Sequence, residues 1–432
     1  MTRHAHKGQA QQQDPSRQLQ RKLYQAAKRS RNRRFHALDD RIFRPDILWR
    51  AWREVRANGG SAGADGVRIE DVEQQGAAAF LQALEPDLRA GSYRPQPVLR
   101  VYIPKPDGRQ RPLGMPTVRD RVVQQACKIV IEPIVAANFQ NTSYGFRPRR
   151  SATQAVQVVN EPLVSNGYVV DVDIERCFDT IDHDMLMRFV ARRLSDRRVV
   201  KRLRQWWQAG VVEEGQWCPT TIGSPQGGVM SPLVANIYFH VWEMYWAQPY
   251  SALGHLTRYA DDMVMVSHTR SAAEPALQAV TQILQTLKLT VHPTKTGIVE
   301  VKGAGFELLG FHFHQGRARK SGKLIPLMWP GPKAMQAIRS HMREQTERRG
   351  LRGTIAAMVA TLNRIIRGWR HYCRVGNSPK KFQDLDRYVR QRVVQWLRAR
   401  VKRGTPPEQR QALYRTSGLE YFFARGSCGT RP

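Results

Sequence analysis

Apolar residues first recur at helical spacing from Asp46 to Arg56, where Ile47, Leu48, Trp49, Trp52 and Val55 predict a helix with one face on a core. Asn58 to Val67 breaks the pattern with four glycines and an Asp-Gly pair, which is loop chemistry. This glycine-rich loop lacks the Lys-Ser/Thr of a P-loop, which argues against that kind of nucleotide site. A strand-like run, Leu99 to Ile103, leads into Pro104 to Pro112, predicting a hairpin with Lys105 on one arm and Arg111 on the other. Further strand-like runs, Tyr168 to Ile174, Leu256 to Val266, Leu289 to Val291 and Phe306 to Phe313, alternate with helical patterns. Beyond about residue 330 the strand signal fades. Several amphipathic helices are predicted from Pro332 to Arg403, one with a stripe of Ile355, Met358, Val359, Leu362, Ile365 and Ile366. The pattern is α+β, and 432 residues are enough for two or three cores.

Charge changes this picture more than overall composition does. Lys and Arg number 69 against 36 Asp and Glu, a net charge of +33, which suits a protein that neutralises many phosphates. The surplus is concentrated: from Arg317 to Arg403 there are 23 basic and 4 acidic residues, a footprint expected of RNA or DNA binding. Residues 1–34 are also basic, with only Asp14 opposing ten Lys and Arg, and fit either an RNA-contacting arm or a solvated tail. No apolar run reaches the ~18 residues of a spanning helix, so no membrane association is expected. The N-terminus has no apolar signal core, which predicts a cytoplasmic protein. Five scattered Cys suggest neither a disulfide framework nor a zinc cluster, and the pair His312 and His314 lacks further ligands at zinc spacing.

The chemistry is carried by two acidic segments. In Tyr168-Val169-Val170-Asp171-Val172-Asp173-Ile174, strand alternation puts Asp171 and Asp173 on one face, among valines that make an unpaired carboxylate costly. Tyr259-Ala260-Asp261-Asp262 lies between two apolar stretches and predicts a strand, a tight turn and a strand, with the acids at the tip. Side by side in one sheet, the two segments would gather enough carboxylates for two Mg²⁺ ions and phosphoryl or nucleotidyl transfer.

With these segments in view, the chain resembles a group II intron-encoded reverse transcriptase from about Trp49 to Arg398. Tyr259-Ala260-Asp261-Asp262 resembles that family's catalytic hairpin. Asp173-Ile174-Glu175-Arg176-Cys177-Phe178-Asp179 with Ile181-Asp182-His183 resembles the segment supplying the first metal ligand. Pro225-Gln226-Gly227-Gly228, then Ser231-Pro232-Leu233 and Ala235-Asn236-Ile237-Tyr238, resembles the one beside templating base and nucleotide. The resemblance implies that Asp173, Asp261 and Asp262 are catalytic and hold two Mg²⁺ ions. Asp171 is the rival to Asp173, which is preferred because Phe178 then falls five residues on, where the family places a ring that excludes ribonucleotides. Lys105 and Arg111 match residues that clasp the triphosphate, Gln226 one in the nucleotide pocket, and Lys295 a lysine near the leaving pyrophosphate. Leu308-Leu309-Gly310-Phe311 resembles the primer-grip hairpin.

The resemblance extends to a maturase or thumb region, in which Arg364, Arg367, Arg370, Lys380 and Lys381 are expected to contact RNA. It implies a right-hand polymerase: a basic arm at 1–45, an N-terminal extension and fingers at 46–160, a palm at 161–316, an all-helical thumb at 317–403 and a tail at 404–432. The His and Cys spacing of a zinc-bound nuclease is missing after Arg403, so the expected form lacks an endonuclease. The implied function is RNA-directed DNA synthesis together with assistance to intron splicing and retrohoming. Intron RNA, an RNA template, a DNA primer and deoxynucleoside triphosphates are the implied partners, and a homodimer is compatible with it. The alternatives are a splicing cofactor without polymerase activity, an RNA-templated RNA polymerase, and a defence-associated or domesticated relative.

Overall fold

The computed structural model describes residues 14–104, 108–223, 227–318, 320–347, 354–400, 408 and 417–423. The helix predicted from Asp46 spans Pro45–Asn58, with Pro in its first turn, where no backbone donor is lost, and buries Ile47, Leu48, Ala51, Trp52 and Val55. The basic N-terminal stretch contributes a helix too, Pro15–Arg29, with Asp14 accepting from the Ser16 amide as N-cap. It buries Leu19, Leu23 and Ala27 in the same core as the helix Val118–Ala136. Each fully buried leucine contributes roughly 1.5–3 kcal/mol. That is enough to dock Pro15–Arg29 on the folded body; residues 1–13 of the basic stretch lie outside the described residues.

Eleven strands form three sheets among the described residues. The first contains β1 (Val98–Pro104), β2 (Gln110–Met115), β4 (Val211–Glu213) and β5 (Gln216–Cys218) in the order β2-β1-β4-β5. The predicted hairpin is its β1-β2 pair, with Ile103 opposite Arg111. The short pair β4-β5 has no clear trace in the hydrophobic pattern. The second sheet runs β6-β7-β3-β8, antiparallel throughout, from β3 (Tyr168–Val172), β6 (His255–Tyr259), β7 (Asp262–Ser267) and β8 (Gly297–Glu300). The third is β11-β10-β9, from β9 (Phe306–Leu308), β10 (Phe311–Arg317) and β11 (Leu324–Pro330).

Two predicted strands differ from what forms. Leu289 to Val291 is a loop joined to the sheet by one bridge, Ile174 to Val291, and the neighbouring strand is Gly297–Glu300. Leu289 is apolar because it lies in the core, not because it pairs. The run Phe306 to Phe313 is broken at Leu309 and Gly310, both with positive φ (51° and 79°), the combination a two-residue type I′ hairpin requires. Tyr372 donates its hydroxyl hydrogen to the Leu309 carbonyl at 2.7 Å and ties this hairpin to the basic helices. Leu324–Pro330 also belongs to the third sheet, and the described helices of the basic region are Pro332–Gln345, Ile355–Cys373 and Pro379–Arg400.

The apolar interior falls into two clusters. One joins the N-terminal helices, Val118–Ala136, the helix Ser231–Ala247 and one face of the second sheet. The other joins its opposite face (Val169, Val264, Val266) to the third sheet and the basic helices. The second sheet is thus packed on both faces, and its catalytic candidates sit at an end of its strands. This mixed architecture is that of a right-hand polymerase. No described helix is long and apolar enough to cross a membrane.

Candidate active site

Strand β3 lies between β7 and β8 in the second sheet, and its pairing register decides which acids meet. Asp171 is opposite Val264, and the pairing ends at Val172 opposite Met263, so Asp173 and Asp262 are the next residues past it, near enough for the Asp173 charge to act on Asp262. Asp261 occupies the two-residue turn between Tyr259 and Asp262, beside Ala260, whose φ of 59° is rare for a residue with a side chain. Sequence-predicted Asp173, Asp261 and Asp262 are therefore brought together, with Asp171 behind Asp173 on the same face.

Asp173 sits where β3 gives way to a loop. Its amide donates to the Thr296 hydroxyl oxygen at 3.1 Å, and its carbonyl accepts from the His292 amide at 2.7 Å. Lys295, between them in sequence, places its ammonium 3.0 Å from Asp173 Oδ2, with both side chains part exposed. An ion pair so open to water adds little stability. What it does is hold one cation against the carboxylates.

The electrostatics follow from the crowding. Burial, then the charge of Asp173, pushes the Asp171 carboxyl up to about 6. Asp262 opens to solvent on one side, yet desolvation by the surrounding protein and the charges of Asp261, Asp171 and Asp173 push it to about 6 as well, against a small opposing effect of Lys295. Among the described residues, no three His, Cys, Asp or Glu side chains converge into a ready-made metal cage. Mg²⁺ does not need one, since it takes one or two carboxylates and completes its shell with water and phosphate oxygens. Oxygen-only donors, crowded enough to resist ionisation and facing one lysine, fit that ion.

These shifts carry a pH dependence. A carboxyl whose folded pKa lies above its unfolded value of about 3.8 costs stability as pH rises through the window from about 4 to 6, where the unfolded chain ionises first. Added Mg²⁺ is therefore expected to raise the melting temperature at pH 7.5 and to have little effect at pH 5, where the same groups hold protons. Thermal unfolding at both pH values, with and without the ion, checks this.

The nucleotide-binding candidates surround the carboxylates in part. Phe178, in the 3₁₀ turn Cys177–Asp179, is half-buried and packs on the first core cluster. Arg111 is exposed on β2. Lys105 and Gln226 lie outside the described residues. On either side of the Gln226 segment, a Cβ at Gly223 would meet the Asp179 backbone at 2.7 Å and one at Gly227 the Gly114 carbonyl at 3.2 Å, so both glycines serve close backbone contacts. A cleft of about 310 Å³ is lined by Asp179 of the 3₁₀ turn and by Gly223 but by none of the four carboxylates.

The RNA-binding candidates divide. Arg364 and Lys380 are exposed on their helices. Arg367 makes a two-pronged ion pair with Glu420, and Arg370 donates to the Tyr421 carbonyl at 3.2 Å, so the C-terminal segment 418–423 engages both. Lys381 instead lines a concave groove of about 560 Å³ between the helices Pro332–Gln345 and Pro379–Arg400, with Arg339 and Arg343. Nothing in the sequence singles out those two arginines, because the charge of a segment does not show which helix faces converge. His312 and His314 both lie against the Trp329 ring, at 5.1 and 6.1 Å between centroids.

Comparison with known proteins bears on the family of the chain. The family described as reverse transcriptase (RNA-dependent DNA polymerase) matches residues 103–313, which include all four carboxylates. The family described as group II intron, maturase-specific domain matches residues 335–416. Protein YkfC of Escherichia coli K12 is 34% identical over 356 residues, 73% of this chain and 93% of that protein. Group II intron-encoded protein LtrA of Lactococcus lactis subsp. cremoris is 36% identical over 200 residues, 46% of this chain and 33% of LtrA. The putative COX1/OXI3 intron 1 protein of Saccharomyces cerevisiae is 29% identical over 193 residues, 44% of this chain and 23% of that protein. The chain thus spans nearly all of the first relative but a third or less of the other two. Since a reverse transcriptase match and a maturase-specific match follow one another in the same chain, it belongs to the group II intron-encoded reverse transcriptase and maturase family.

Proposed function

We propose that this chain is an RNA-directed DNA polymerase that adds deoxynucleotides to a primer on an RNA template, and that it also binds intron RNA to assist splicing and retrohoming. The observation that carries the first part is the antiparallel pairing of β3 with β7, whose last pair, Val172 with Met263, leaves Asp173 and Asp262 as the next residues, with Asp261 in the adjoining turn. Asp173, Asp261 and Asp262 would hold two Mg²⁺ ions, which when bound would make the primer 3′-hydroxyl a better nucleophile and neutralise the triphosphate. In this reading Arg111, together with Lys105, clasps the phosphates from the fingers hairpin. Lys295 stands beside Asp173, where its ammonium can pass a proton to the departing pyrophosphate. Gln226 lines the nucleotide pocket. The division into fingers, palm and thumb, with boundaries near residues 160 and 316, belongs to the same proposal, the thumb helices starting at Pro332.

Phe178 is assigned the exclusion of ribonucleotides, its ring standing against the sugar C2′. Phe178→Val, which frees space for a 2′-hydroxyl, is expected to cut the preference for dTTP over UTP by roughly 10–100-fold, the scale of discrimination by shape in an apolar site. Comparing kcat/KM for the two nucleotides checks this. A wild type that uses both equally would point to RNA synthesis instead.

The RNA-binding part rests on the basic groove holding Arg339, Arg343 and Lys381, and on exposed Arg364 and Lys380. Arg367 and Arg370 would contact RNA in competition with Glu420 and the Tyr421 carbonyl. The experiment that tests the polymerase reading is incorporation of dTTP on poly(rA)/oligo(dT) with Mg²⁺. Incorporation supports it, and an inert wild type that still binds intron RNA with high affinity favours a splicing cofactor.

A further inference from the structure

Arg258 is 1% exposed, one of the largest fully buried side chains of the described structure, and lies one residue before the Tyr259-Ala260-Asp261-Asp262 hairpin. Four of its five N–H groups are used. Nε donates to Glu243 Oε1 at 2.8 Å, Nη1 to Asn236 Oδ1 at 3.2 Å and to the Ala260 carbonyl at 2.8 Å, and Nη2 to the Ser143 hydroxyl oxygen at 2.6 Å. Glu243 and Asn236 lie on the helix Ser231–Ala247, and Ser143 on the loop before Gly145. The loop is bound to the same strand: the Arg258 amide donates to the Thr142 carbonyl and the Tyr144 amide to the Arg258 carbonyl, both at 2.8 Å. Asn236 Nδ2 donates in turn to the Gly145 carbonyl at 2.9 Å, and a Cβ on Gly145 would run into the Ala260 amide.

An ion pair this deep is not explained by stability alone. Desolvating both charges offsets most of their attraction, and apolar pairs of similar volume are often as stable or more so. What an apolar pair cannot do is bind a particular carbonyl. The Ala260 carbonyl belongs to the peptide plane that carries the Asp261 amide, so orienting it fixes the direction in which Asp261 leaves the turn. That turn is held with Ala260 at a positive φ, a conformation that needs support from its surroundings. A lysine would offer no planar fork to reach a helix, a loop and the turn at once.

We propose that Arg258 is a positioning residue: held by Glu243, Asn236 and Ser143, its guanidinium locks the Ala260–Asp261 peptide so that Asp261 and Asp262 face Asp173. This rests on the polymerase reading above. The test is Arg258→Met combined with Glu243→Met, which removes the donor without leaving a buried charge, measured by primer extension on poly(rA)/oligo(dT) and by amide hydrogen exchange.

The double variant is expected to melt within about 5 °C of wild type. Its kcat should fall roughly 30–100-fold, the scale of a misplacement of about 1 Å, with KM for dTTP changed less than about threefold. Exchange should quicken across residues 258–263. Glu243→Gln, which keeps an acceptor for Nε, should retain kcat within about threefold, because the guanidinium stays in place. Wild-type kcat and wild-type protection in the double variant would overturn the inference. If that variant does not fold, Arg258→Lys keeps the charge and serves the same readouts, with a loss of roughly tenfold expected from the missing fork. An inert wild type removes the polymerase reading, and exchange alone then judges the network: faster exchange supports positioning, and unchanged exchange overturns it.

Discussion

Asp261→Asn is expected to lower dTTP incorporation by at least roughly 10³-fold, because a neutral amide cannot replace a carboxylate in holding and neutralising metal-bound charge in the transition state. The fold should survive the change. Burial is the first cause that pushes the Asp262 carboxyl up to about 6 and the Asp261 charge the next, so the substitution relieves the repulsion and lowers that carboxyl part of the way toward the ordinary range. The melting temperature of the variant in metal-free buffer at pH 7.5 should therefore equal or exceed that of wild type, while its response to Mg²⁺ shrinks. Loss of activity with gain of metal-free stability is the combination that separates a site carboxylate from a structural one. A variant that polymerises at more than about a tenth of the wild-type rate would count against the role given to the turn.

A triple substitution of Arg339, Arg343 and Lys381 by Ala is expected to weaken binding of a structured intron RNA by roughly 10²-fold in moderate salt, and to flatten the plot of log K against log salt by about 2–3 units. Three basic side chains converge in one groove between two helices, and each phosphate they neutralise releases counterions. Tyr388 and Asp384 share the groove and Glu347 pairs with Arg343 at 3.5 Å, but two carboxylates do not offset three cations. The same substitutions on Arg367 and Arg370 should do less, since Glu420 and the Tyr421 carbonyl already engage those side chains. Filter binding across a salt series distinguishes the two sets. Equal losses in both would mean that RNA pulls the C-terminal segment away.

Much of the site was legible because its signals are local. Alternation along β3 is enough to put Asp171 and Asp173 on one face, and a turn between two apolar strands is enough to put Asp261 at a tip. The hairpin carrying Arg111 and the helix Pro45–Asn58 follow from the same short-range rules. Where the local signal was ambiguous the reading slipped: Leu289 to Val291 is apolar because the loop is buried, and an apolar triplet looks the same whether it pairs or only packs.

By itself, then, the sequence determined the acids, their spacing, the basic surplus and the order of helices and strands, since each depends on residues within a few positions of one another. Only the tertiary structure decided which charges are spent and which are free. Lys295 meets Asp173 across 122 residues, Arg367 meets Glu420 across 53, and Arg258 finds Glu243, Asn236 and Ser143 only when strand, helix and loop close around it. The reason is that a charge is described by its partner and its exposure to water, and both are set by chain segments whose distance in sequence carries no information about their distance in space.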